Sequence, residues 1–507
     1  MSELRSHAHA ARRGSRAVDV LLALTVGFVG AAAALLQLFA GPDIGLADNG
    51  DGFRLMCETE LLKRDEVLFN PLVVEYDPAP DGCAEELRYF STQQWVLEAA
   101  VQLFALRYGE GVGFDLRMLG VLHSALLGAG LAALHLALPG SRAVRTVSVV
   151  VAGALVADVA FASYFTSPFS EPATFLGLLF AVAALAWYVR ADRAVPLALL
   201  LLTAAGVFLA LAKSQTVVLA LLLVPVVLLR TVPVGRLTGP VLGRVLPALA
   251  AVVLVAAPAA NLAQQPPFFT RVNVYNVVFW TLLPLSPDPE ATLRELSAPP
   301  SLARYSGTGY FTPGSAQSDP AFGLFEEQVS RGDVLAYLAT HPGYWEPLLA
   351  EGSRAAATAR PDYMSNYREP RPEGQLLAPR PDPTVRLLGS LGRWAWPVLP
   401  LVWTLVALGG AVVALRAADP ARRALAAVLY LLAAGALSQV VVALLGDGVY
   451  ELVKHTVLAG WATALLLGVG AGAALAAAVG AAQRRRAQGT VVTNGGGSMA
   501  GAMGTRT

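Results

Sequence analysis

Apolar residues come in long blocks along this chain, separated by polar turns and by two long polar segments. We place the blocks at residues 18–40, 114–138, 147–165, 173–189, 195–211, 216–229, 245–262, 394–415, 425–445 and 457–481. Most are long enough to cross the hydrocarbon layer of a membrane as a helix. The pattern therefore predicts an all-α polytopic membrane protein with about ten transmembrane helices.

The two long polar segments cover residues 41–113 and 263–388. Within the first, residues 94–106 are apolar on one side but too short to cross a membrane, which predicts a helix lying in the interface. The segments divide the chain into a basic tail (1–17), an N-terminal transmembrane module (18–262), a loop region (263–388), a C-terminal transmembrane module (389–481) and a Gly-rich tail (482–507). We expect that last tail to be disordered.

Charge indicates how these helices are oriented. Only 14% of the residues are charged against 55% hydrophobic, and the net charge of +1 argues against nucleic acid as a partner. Arginines cluster in the N-terminal tail and after every even-numbered block. Because positively charged loops stay on the cytoplasmic side, we expect both termini in the cytoplasm, with the chain embedded in the lipid bilayer of the cell membrane. Segments 41–113 and 263–388 then lie outside.

The chain has two cysteines, Cys57 and Cys83, and both fall in the first outer segment. A disulfide is permitted outside the cytoplasm, and closing this loop would stabilise it by about 3 kcal/mol. The alternative is two unpaired thiols. Two sulfurs without a nearby histidine do not make a zinc site. We expect the disulfide.

The sequence ADNGDGFR at residues 47–54 directly follows the first apolar block. It places Asp48, Asp51 and Arg54 at a membrane surface. One of two carboxylates three residues apart can act as a general base, and Arg54 can bind a phosphate or a carboxylate. The alternative is a solvated turn, since Asp, Asn and Gly are typical turn residues. The position at the end of a membrane span favours a functional role.

Two further polar turns lie on the same predicted side. Glu171, in YFTSPFSEP, directly precedes the fourth block, where it is either functional or part of a helix N-terminus. Lys213 and Gln215 separate the fifth and sixth blocks. Lys213 is either a lysine extending to the membrane surface or a ligand for a lipid phosphate. Inside the third block, Asp158 is costly to bury, so it is expected to be functional or paired.

The turn GDGVYELVKH, residues 446–455, carries an unusual amount of charge. If it is helical, Asp447, Glu451, Lys454 and His455 lie on about one face. The alternative is an exposed turn held by salt bridges. So many charges in so short a turn favour a functional role at the outer surface.

These motifs, with an acidic turn and an interfacial helix in the first outer loop, resemble the GT-C superfamily of integral membrane glycosyltransferases. More closely, ADNGDGFR, YFTSPFSEP, AKSQ and GDGVYELVKH resemble an actinobacterial group of multi-pass hexose transferase-like proteins of glycan biosynthesis. The resemblance covers about residues 18–480. One departure is that those relatives tend to read Asp-Phe-Gly-Arg where this chain has Asp51-Gly52-Phe53-Arg54.

The resemblance implies a GT-C-like fold. It also implies transfer of a hexose, with inversion, from a polyprenyl-phosphate donor to a glycan or lipid-linked acceptor of the cell envelope. Asp48 or Asp51 would be the general base, and Glu171 is a further catalytic candidate. Substrate-binding candidates are Arg54, Lys213, Gln215, Asp447, Glu451, Lys454 and His455. A divalent cation, Mg or Mn, bridging Asp48 and Asp51 is compatible with this chemistry but not required by it.

Two other classes of protein are open at this stage. A transporter or a flippase for lipid-linked glycans would carry charges near the bilayer midplane and repeat symmetry between its halves. The polar residues here instead cluster at one interface, and no repeat is evident. A non-catalytic assembly protein would not need acids and bases in four separate turns.

Overall fold

The computed structural model describes residues 2–64, 72–79, 89–109, 111–232, 242–361, 363–364 and 380–495, and only the backbone of residues 2–15 and 485–495. The first half contains α1 (Ser2–Phe39), α2 (Asp51–Glu58), α3 (Gln93–Tyr108), α4 (Arg117–Ala137), α5 (Arg142–Val156), α6 (Val159–Ala162), α7 (Glu171–Arg190), α8 (Val195–Ala210), α9 (Val217–Leu228) and α10 (Leu242–Ala263). The second half contains α11 (Pro267–Tyr275), a π-helical turn (Asn276–Leu282), α12 (Leu283–Leu285), α13 (Pro289–Glu295), α14 (Phe322–Gln328), α15 (Arg331–Thr340), α16 (Trp345–Thr358), α17 (Pro383–Gly389), α18 (Ala395–Arg416), α19 (Pro420–Gly446) and α20 (Leu452–Gly495).

Helices occupy all ten predicted apolar blocks. Among the described residues, seven helices are long and apolar enough to cross a membrane, or eight if the bent pair Arg142–Val156 and Val159–Thr166 is one span. Two shorter apolar helices, Val195–Ala210 and Ser214–Leu228, correspond to the fifth and sixth blocks. The all-α polytopic class is therefore confirmed, while the total of about ten spans stays a prediction.

Helix α7 lies at the centre of the bundle, packed against α4, α8, α19 and α20. Around it, α1 packs along α4, α5 along α20, and α18 along α19. The approach of α1 to α4 depends on two small residues. A Cβ atom on Gly27 would lie only 2.4 Å from the carbonyl oxygen of Gly128. Small residues at such crossings let membrane helices pack closely.

Asp158 forms a buried structural joint. It follows α5 at a 62° bend and caps α6, where its Oδ1 atom accepts a hydrogen bond from Ala160 N at 2.8 Å. Its Oδ2 atom accepts from Thr384 N at 2.7 Å, at the start of α17. Backbone amides thus provide hydrogen bonds to both oxygens of this intramembrane carboxylate. Without them, the buried carboxylate and the buried amides would be costly unpaired groups. Asp158 connects the bend to the chain that returns from the loop region.

Arginines gather at the end of the bundle opposite the candidate site described below. Arg142 and Arg145 bind Asp19 near the start of the first span, at 2.8 and 2.7 Å. Arg190 donates to the carbonyl oxygens of Ala137 and Leu138, both at 2.6 Å. Arginine near a helix C-terminus satisfies carbonyls that have no partner within the helix. We call this the arginine end.

The segment after α1 folds over the opposite end. Strands β1 (Leu61–Lys63), β2 (Glu75–Pro78) and β3 (Phe114–Asp115) form a small antiparallel sheet in that order, with Lys63 opposite Tyr76 and Tyr76 opposite Phe114. The short helix predicted at residues 94–106 is present as α3, with Trp95, Leu103 and Leu106 exposed. Cys57 is disulfide-bonded. Cys83, the other cysteine of the chain, lies outside the described residues.

The loop region predicted at 263–388 contains α11 to α16 and the π-helical turn. Its core is aromatic: Tyr275 stacks on Phe279 at 4.5 Å between ring centroids, and Phe322 stacks on Phe325 at 5.7 Å. At the other end of the chain, α20 continues to Gly495, so part of the tail predicted as disordered is helical. Residues 496–507 lie outside the described residues.

Candidate active site

The turn ADNGDGFR connects α1 to α2 and is shaped by Asp48. Gly50 adopts a left-handed conformation, with φ of 98°, immediately before α2 begins at Asp51. The Asp48 side chain is fully buried, and its Oδ1 atom accepts hydrogen bonds from Gly50 N at 2.8 Å and Gly52 N at 3.0 Å. Its Oδ2 atom accepts from the Tyr76 hydroxyl at 2.8 Å, on β2. Asp48 thus fixes the conformation of the turn and joins it to β2.

Asp51 is the carboxylate of this turn that points into open space. Half of its side chain is exposed, and it forms an ion pair with Lys454 at the start of α20. Desolvation would raise the pKa of Asp51, but the charges of Lys454, Arg54 and Lys213 outweigh that effect and hold the pKa well below its usual range. Asp51 is therefore ionised, accessible and surrounded by cations.

The turn between α19 and α20 brings a second set of charges to Asp51. The turn is not one continuous helix, which was the condition for its four charged residues to share a face: α19 ends at Gly446, Glu451 has a φ of 46°, and α20 begins at Leu452. Both Glu451 carboxylate oxygens accept from Asn49 Nδ2, at 2.8 and 2.9 Å. Glu451 also lies 3.5 Å from Lys454 Nζ. The four predicted residues converge through the shape of the turn rather than through one helical face.

Glu171 and Lys213 form the second half of the cluster. Glu171 is the first residue of α7, and its Oε1 atom lies 2.6 Å from Lys213 Nζ in the break between α8 and α9. Both side chains are largely buried, at 4% and 16% exposed. Lys213 Nζ also lies 3.2 Å from His455 Nδ1 on α20. Three separate polar turns therefore meet at Lys213. The sequence predicts all three turns on the same side of the membrane.

His455 continues this chain of contacts to Asp447. Its Nε2 atom lies 3.1 Å from Asp447 Oδ2, and Asn276 Nδ2 donates to Asp447 Oδ1 at 2.8 Å. Because a charged lysine only donates hydrogen bonds, His455 Nδ1 must accept the hydrogen bond from Lys213 Nζ. When Asp447 is ionised, the ring proton is then on Nε2 and donates to it. Desolvation raises the pKa of Asp447 to about 8, with Glu451 and Asp51 adding to the effect and Asn276 opposing it.

Arg54 lies at the edge of the cluster, on α2. Its guanidinium stacks over the rings of Tyr89 and Phe269, at 5.1 and 5.6 Å from their centroids. Its Nε atom is buried without a hydrogen-bond partner in the part of the chain that the structure describes. Tyr89 in turn bonds Ser214, the neighbour of Lys213. Arg54 is thus a cation that aromatic rings orient and that retains a donor for a further group.

Gln215 is the predicted site residue that turns away from the cluster. Its Nε2 atom donates to the carbonyl oxygens of His455 at 2.6 Å and Gln439 at 3.2 Å. The Gln215 side chain therefore joins the start of α9 to α19 and α20. These hydrogen bonds to backbone carbonyl oxygens give the side chain a structural role. The predicted substrate contact for Gln215 stays a prediction.

Sequence reasoning missed Asn49, Asn276 and Tyr363. Asn49 binds Glu451 and lies 3.5 Å from the Tyr363 hydroxyl, and Asn276 binds Asp447. Asn49 lay inside the quoted motif, but its amide was read only as a turn former. Asn276 is the first residue of the π-helical turn, a form that often marks functional sites. No spacing in the sequence links position 276 to position 447.

The carboxylates do not fit the bridging cation that the sequence was compatible with. The two Asp48 oxygens already accept three hydrogen bonds, and Lys454 occupies Asp51. Among the described ranges, no group of three or more His, Cys, Asp or Glu side chains is arranged to hold a metal ion. Binding of Mg or Mn by these aspartates, which the sequence permits but does not require, stays a prediction.

A family profile described as the YfdI N-terminal transmembrane domain matches residues 9–492. The match covers nearly the whole chain. The chain belongs to this family. Its membership agrees with the apolar helices of the bundle, and the chain is a multi-pass membrane protein of the YfdI N-terminal domain family. A comparison with curated proteins finds no match.

Solved structures similar to this family member include the archaeal oligosaccharyltransferase AglB from Archaeoglobus fulgidus in complex with an inhibitory peptide and a dolichol-phosphate. That likeness has 11% identity and a TM-score of 0.39, covering 95% of this chain and 52% of the other. The apo form of the Archaeoglobus fulgidus enzyme has 12% identity and a TM-score of 0.37, covering 88% and 50%. The chain spans about half the length of these structures.

In this YfdI-family chain, the candidate site combines an accessible carboxylate with several fixed cations. Asp51 can accept a proton, and Arg54, Lys213 and Lys454 can stabilise an anion beside it. Asp447, whose pKa burial raises to about 8, adds a carboxyl group in contact with His455. These groups are suited to a reaction in which a hydroxyl loses a proton while a negatively charged group departs.

Proposed function

We propose that the chain is a membrane glycosyltransferase. It would transfer a sugar from a polyprenyl-phosphate donor to a glycan or lipid-linked acceptor, on the extracytoplasmic side and with inversion. The observation that carries this proposal is the convergence of four turns, far apart in sequence, at one end of the helix bundle. They pair Asp51 with Lys454 and join Glu171, Lys213 and His455 in a second group of contacts. The two groups adjoin because Lys454 and His455 are consecutive residues of α20.

Asp51 is the general base in this proposal. The acceptor hydroxyl donates its proton to the Asp51 carboxylate as its oxygen attacks the anomeric carbon of the donor. Asp48 is a poor candidate, because it is fully buried and its oxygens are occupied by two amides and Tyr76. Asp48 instead positions the turn that presents Asp51. Between the two aspartates that the sequence left open, the proposal takes Asp51 as the base.

The departing group is polyprenyl phosphate, which keeps the bonding electrons of the broken carbon–oxygen bond. Arg54 and Lys213 are placed to stabilise the negative charge that develops on its phosphate. The Nε atom of Arg54 is a buried donor without a partner in the described ranges. Lys213 is the neighbour of Ser214, whose side chain is hydrogen-bonded to Tyr89, the ring over which Arg54 stacks. Lys454 holds Asp51 in place and keeps it ionised.

The position of the network argues for an enzyme rather than a transporter. Its residues lie where helices begin or end: Glu171 starts α7, Lys213 separates α8 from α9, and Asp447 follows α19. A transporter concentrates such groups near the bilayer midplane. A network at one membrane surface suits a lipid-linked donor whose phosphate lies at that depth.

The test is a transfer reaction with purified protein in lipid nanodiscs. Radiolabelled polyprenyl-phosphate hexoses of defined anomeric configuration are incubated with the protein, and released sugar or labelled acceptor is separated and identified. We expect protein-dependent cleavage of the donor, with a product of opposite anomeric configuration. A panel of donors that all remain intact, or a product that retains configuration, would contradict the proposal.

A further inference from the structure

An apolar cavity opens between α3, α4, α7 and α8. Its volume is about 900 Å³, and every side chain that lines it is apolar, among them Trp95, Leu122, Leu176, Trp187, Leu201 and Phe208. Along α7 it extends from Leu176 to Trp187. Eleven residues of helix correspond to about 17 Å, more than half of the hydrocarbon thickness of a bilayer. The cavity is therefore a groove that runs along the membrane depth.

One end of the groove reaches the candidate active site. Leu176 lies five residues after Glu171 on α7, and Phe208 lies five residues before Lys213. Near this end, side chains before α3 bind the end of α8: Ser91 Oγ donates to Ala212 O at 2.6 Å, and Thr92 Oγ1 donates to Phe208 O at 2.8 Å. Both the start of α7 and the end of α8 therefore belong to the groove and to the charged network.

Aromatic rings link the groove to Arg54. Trp95 lies 6.3 Å from Phe208 and 5.5 Å from Phe90 between ring centroids. The next residue along the chain, Tyr89, supports the Arg54 guanidinium. Arg54, whose Nε atom is buried without a partner among the described residues, is thus linked to the groove lining through Tyr89, its neighbour Phe90 and Trp95. This combination matches a ligand with an anionic head and a long hydrocarbon tail.

We propose that this groove binds the hydrocarbon chain of the donor's polyprenyl carrier, with the phosphate held at its mouth by Arg54 and Lys213. The inference rests on the proposed function for the identity of the donor. Apart from the indole N–H groups of Trp95 and Trp187, the lining offers no side-chain polar group, so the groove would recognise the length and slenderness of the hydrocarbon chain. The hydrocarbon chain would enter the groove sideways from the bilayer.

The groove can be narrowed without touching the charged network. Ala204 lies on α8, is exposed and lines the groove. Ala204→Phe would fill part of it, and blocking the burial of about 50 Å² of chain corresponds to about tenfold weaker binding. Ala256→Phe is the matched control, because Ala256 is an exposed alanine on α10 that does not line the groove.

The experiment is photolabelling of the full chain in nanodiscs with a polyprenyl phosphate that carries a diazirine in its chain. We expect labels on α4, α7 and α8 in the unmodified protein. We expect about tenfold less labelling in Ala204→Phe and no change in Ala256→Phe. Equal labelling of both variants, or labels confined to other helices, would overturn the proposal. Mapping in the unmodified protein decides the question if Ala204→Phe fails to fold.

Two further probes separate the parts of the proposal. A diazirine phospholipid that labels the groove and resists displacement by polyprenyl phosphate would overturn it, because the groove would then hold bulk lipid. Arg54→Gln should weaken labelling by the polyprenyl phosphate and leave labelling by the uncharged polyprenol unchanged. Equal effects on both would remove Arg54 from the phosphate site.

Labelling does not depend on sugar transfer, so the two proposals can fail separately. Specific labelling of the groove by a protein that cleaves none of the donors would retain the lipid site and refute the glycosyltransferase. Sugar transfer with an unchanged KM for the donor in Ala204→Phe would retain the enzyme and refute the groove.

Discussion

The carboxylate of Asp51 is paired with the ammonium of Lys454, a residue 403 positions further along the chain. Lys454 is almost completely buried, while half of the Asp51 side chain is exposed. The pair therefore joins the first turn after α1 to the start of α20, and it leaves one face of the carboxylate accessible. Glu451 and Phe169 also contact Lys454, and Asn49 donates a hydrogen bond to Glu451.

Replacing Asp48 should affect stability more than chemistry. Asp48→Asn replaces a buried carboxylate that accepts from Gly50 N, Gly52 N and Tyr76, so part of this set loses its acceptor. We expect a loss of about 1–3 kcal/mol in the free energy of unfolding. Thermal unfolding in detergent measures it. The folded fraction of Asp48→Asn should keep more transfer activity than Asp51→Asn, and the opposite order would contradict the assignment of the base.

Glu171 and Lys213 should prove strongly coupled. Lys213→Met leaves a nearly buried glutamate without its partner, which we expect to cost about 3 kcal/mol of unfolding free energy. The double variant Glu171→Met/Lys213→Met should recover much of that loss, giving a coupling of at least about 1 kcal/mol. Thermal unfolding of the two single variants and the double variant measures it. Additive losses would show that the two side chains do not interact.

Asp447 should make stability depend on pH. Its pKa is raised to about 8 in the folded chain, while an unfolded aspartate titrates near 3.9. The folded state therefore holds the proton more tightly, and this contribution to stability falls as pH rises from about 4 to about 8. Asp447→Asn should flatten the dependence of the melting temperature between pH 5 and about 8.

The control for this experiment is Glu346→Gln, a change at an exposed residue of α16. It should leave the pH dependence as in the unmodified chain. An Asp447→Asn profile parallel to the unmodified one would show that Asp447 titrates normally. His455 contacts Asp447 directly, so Asp447→Asn should also shift the pH profile of transfer.

The predicted orientation can be tested with single cysteines. Glu346 lies in the loop region at the site end of the bundle, and Asp192 lies after α7 at the arginine end. We expect a membrane-impermeant maleimide to label Glu346→Cys in intact cells and Asp192→Cys only in permeabilised cells. The unmodified chain measures background labelling, because it has no free cysteine among its described residues. The reverse pattern would place the site in the cytoplasm.

Much of the fold follows from the apolar blocks, because block length and helix length are tied by the thickness of the membrane. The helices found at 195–210 and 214–228, divided around Lys213, match the interruption that the sequence showed. Periodicity could not show which helices touch. The central position of α7 depends on tertiary packing against α4, α8, α19 and α20, and no local pattern encodes it.

The sequence could predict which residues of the candidate site lie on the same side of the membrane, but not which of them are in contact. The shared side of the polar turns brought Asp51, Glu171, Lys213 and Lys454 together in the prediction, and the structure pairs Asp51 with Lys454 and Glu171 with Lys213. The division of labour between Asp48 and Asp51 was not readable, because it depends on Tyr76 across a small sheet. Asn276 was missed because amides with structural roles are common, and its partner Asp447 is 171 positions away.

The most direct test of the account is the rate of donor cleavage by Asp51→Asn. Asp77 is the matched control, since it lies in the same segment, on β2, and pairs with Arg64 away from the network. We expect Asp51→Asn to reduce the rate by about a thousandfold, as loss of a general base does, while the protein remains folded and Asp77→Asn stays near the unmodified rate. An Asp51→Asn protein as active as Asp77→Asn would contradict the assignment of this site.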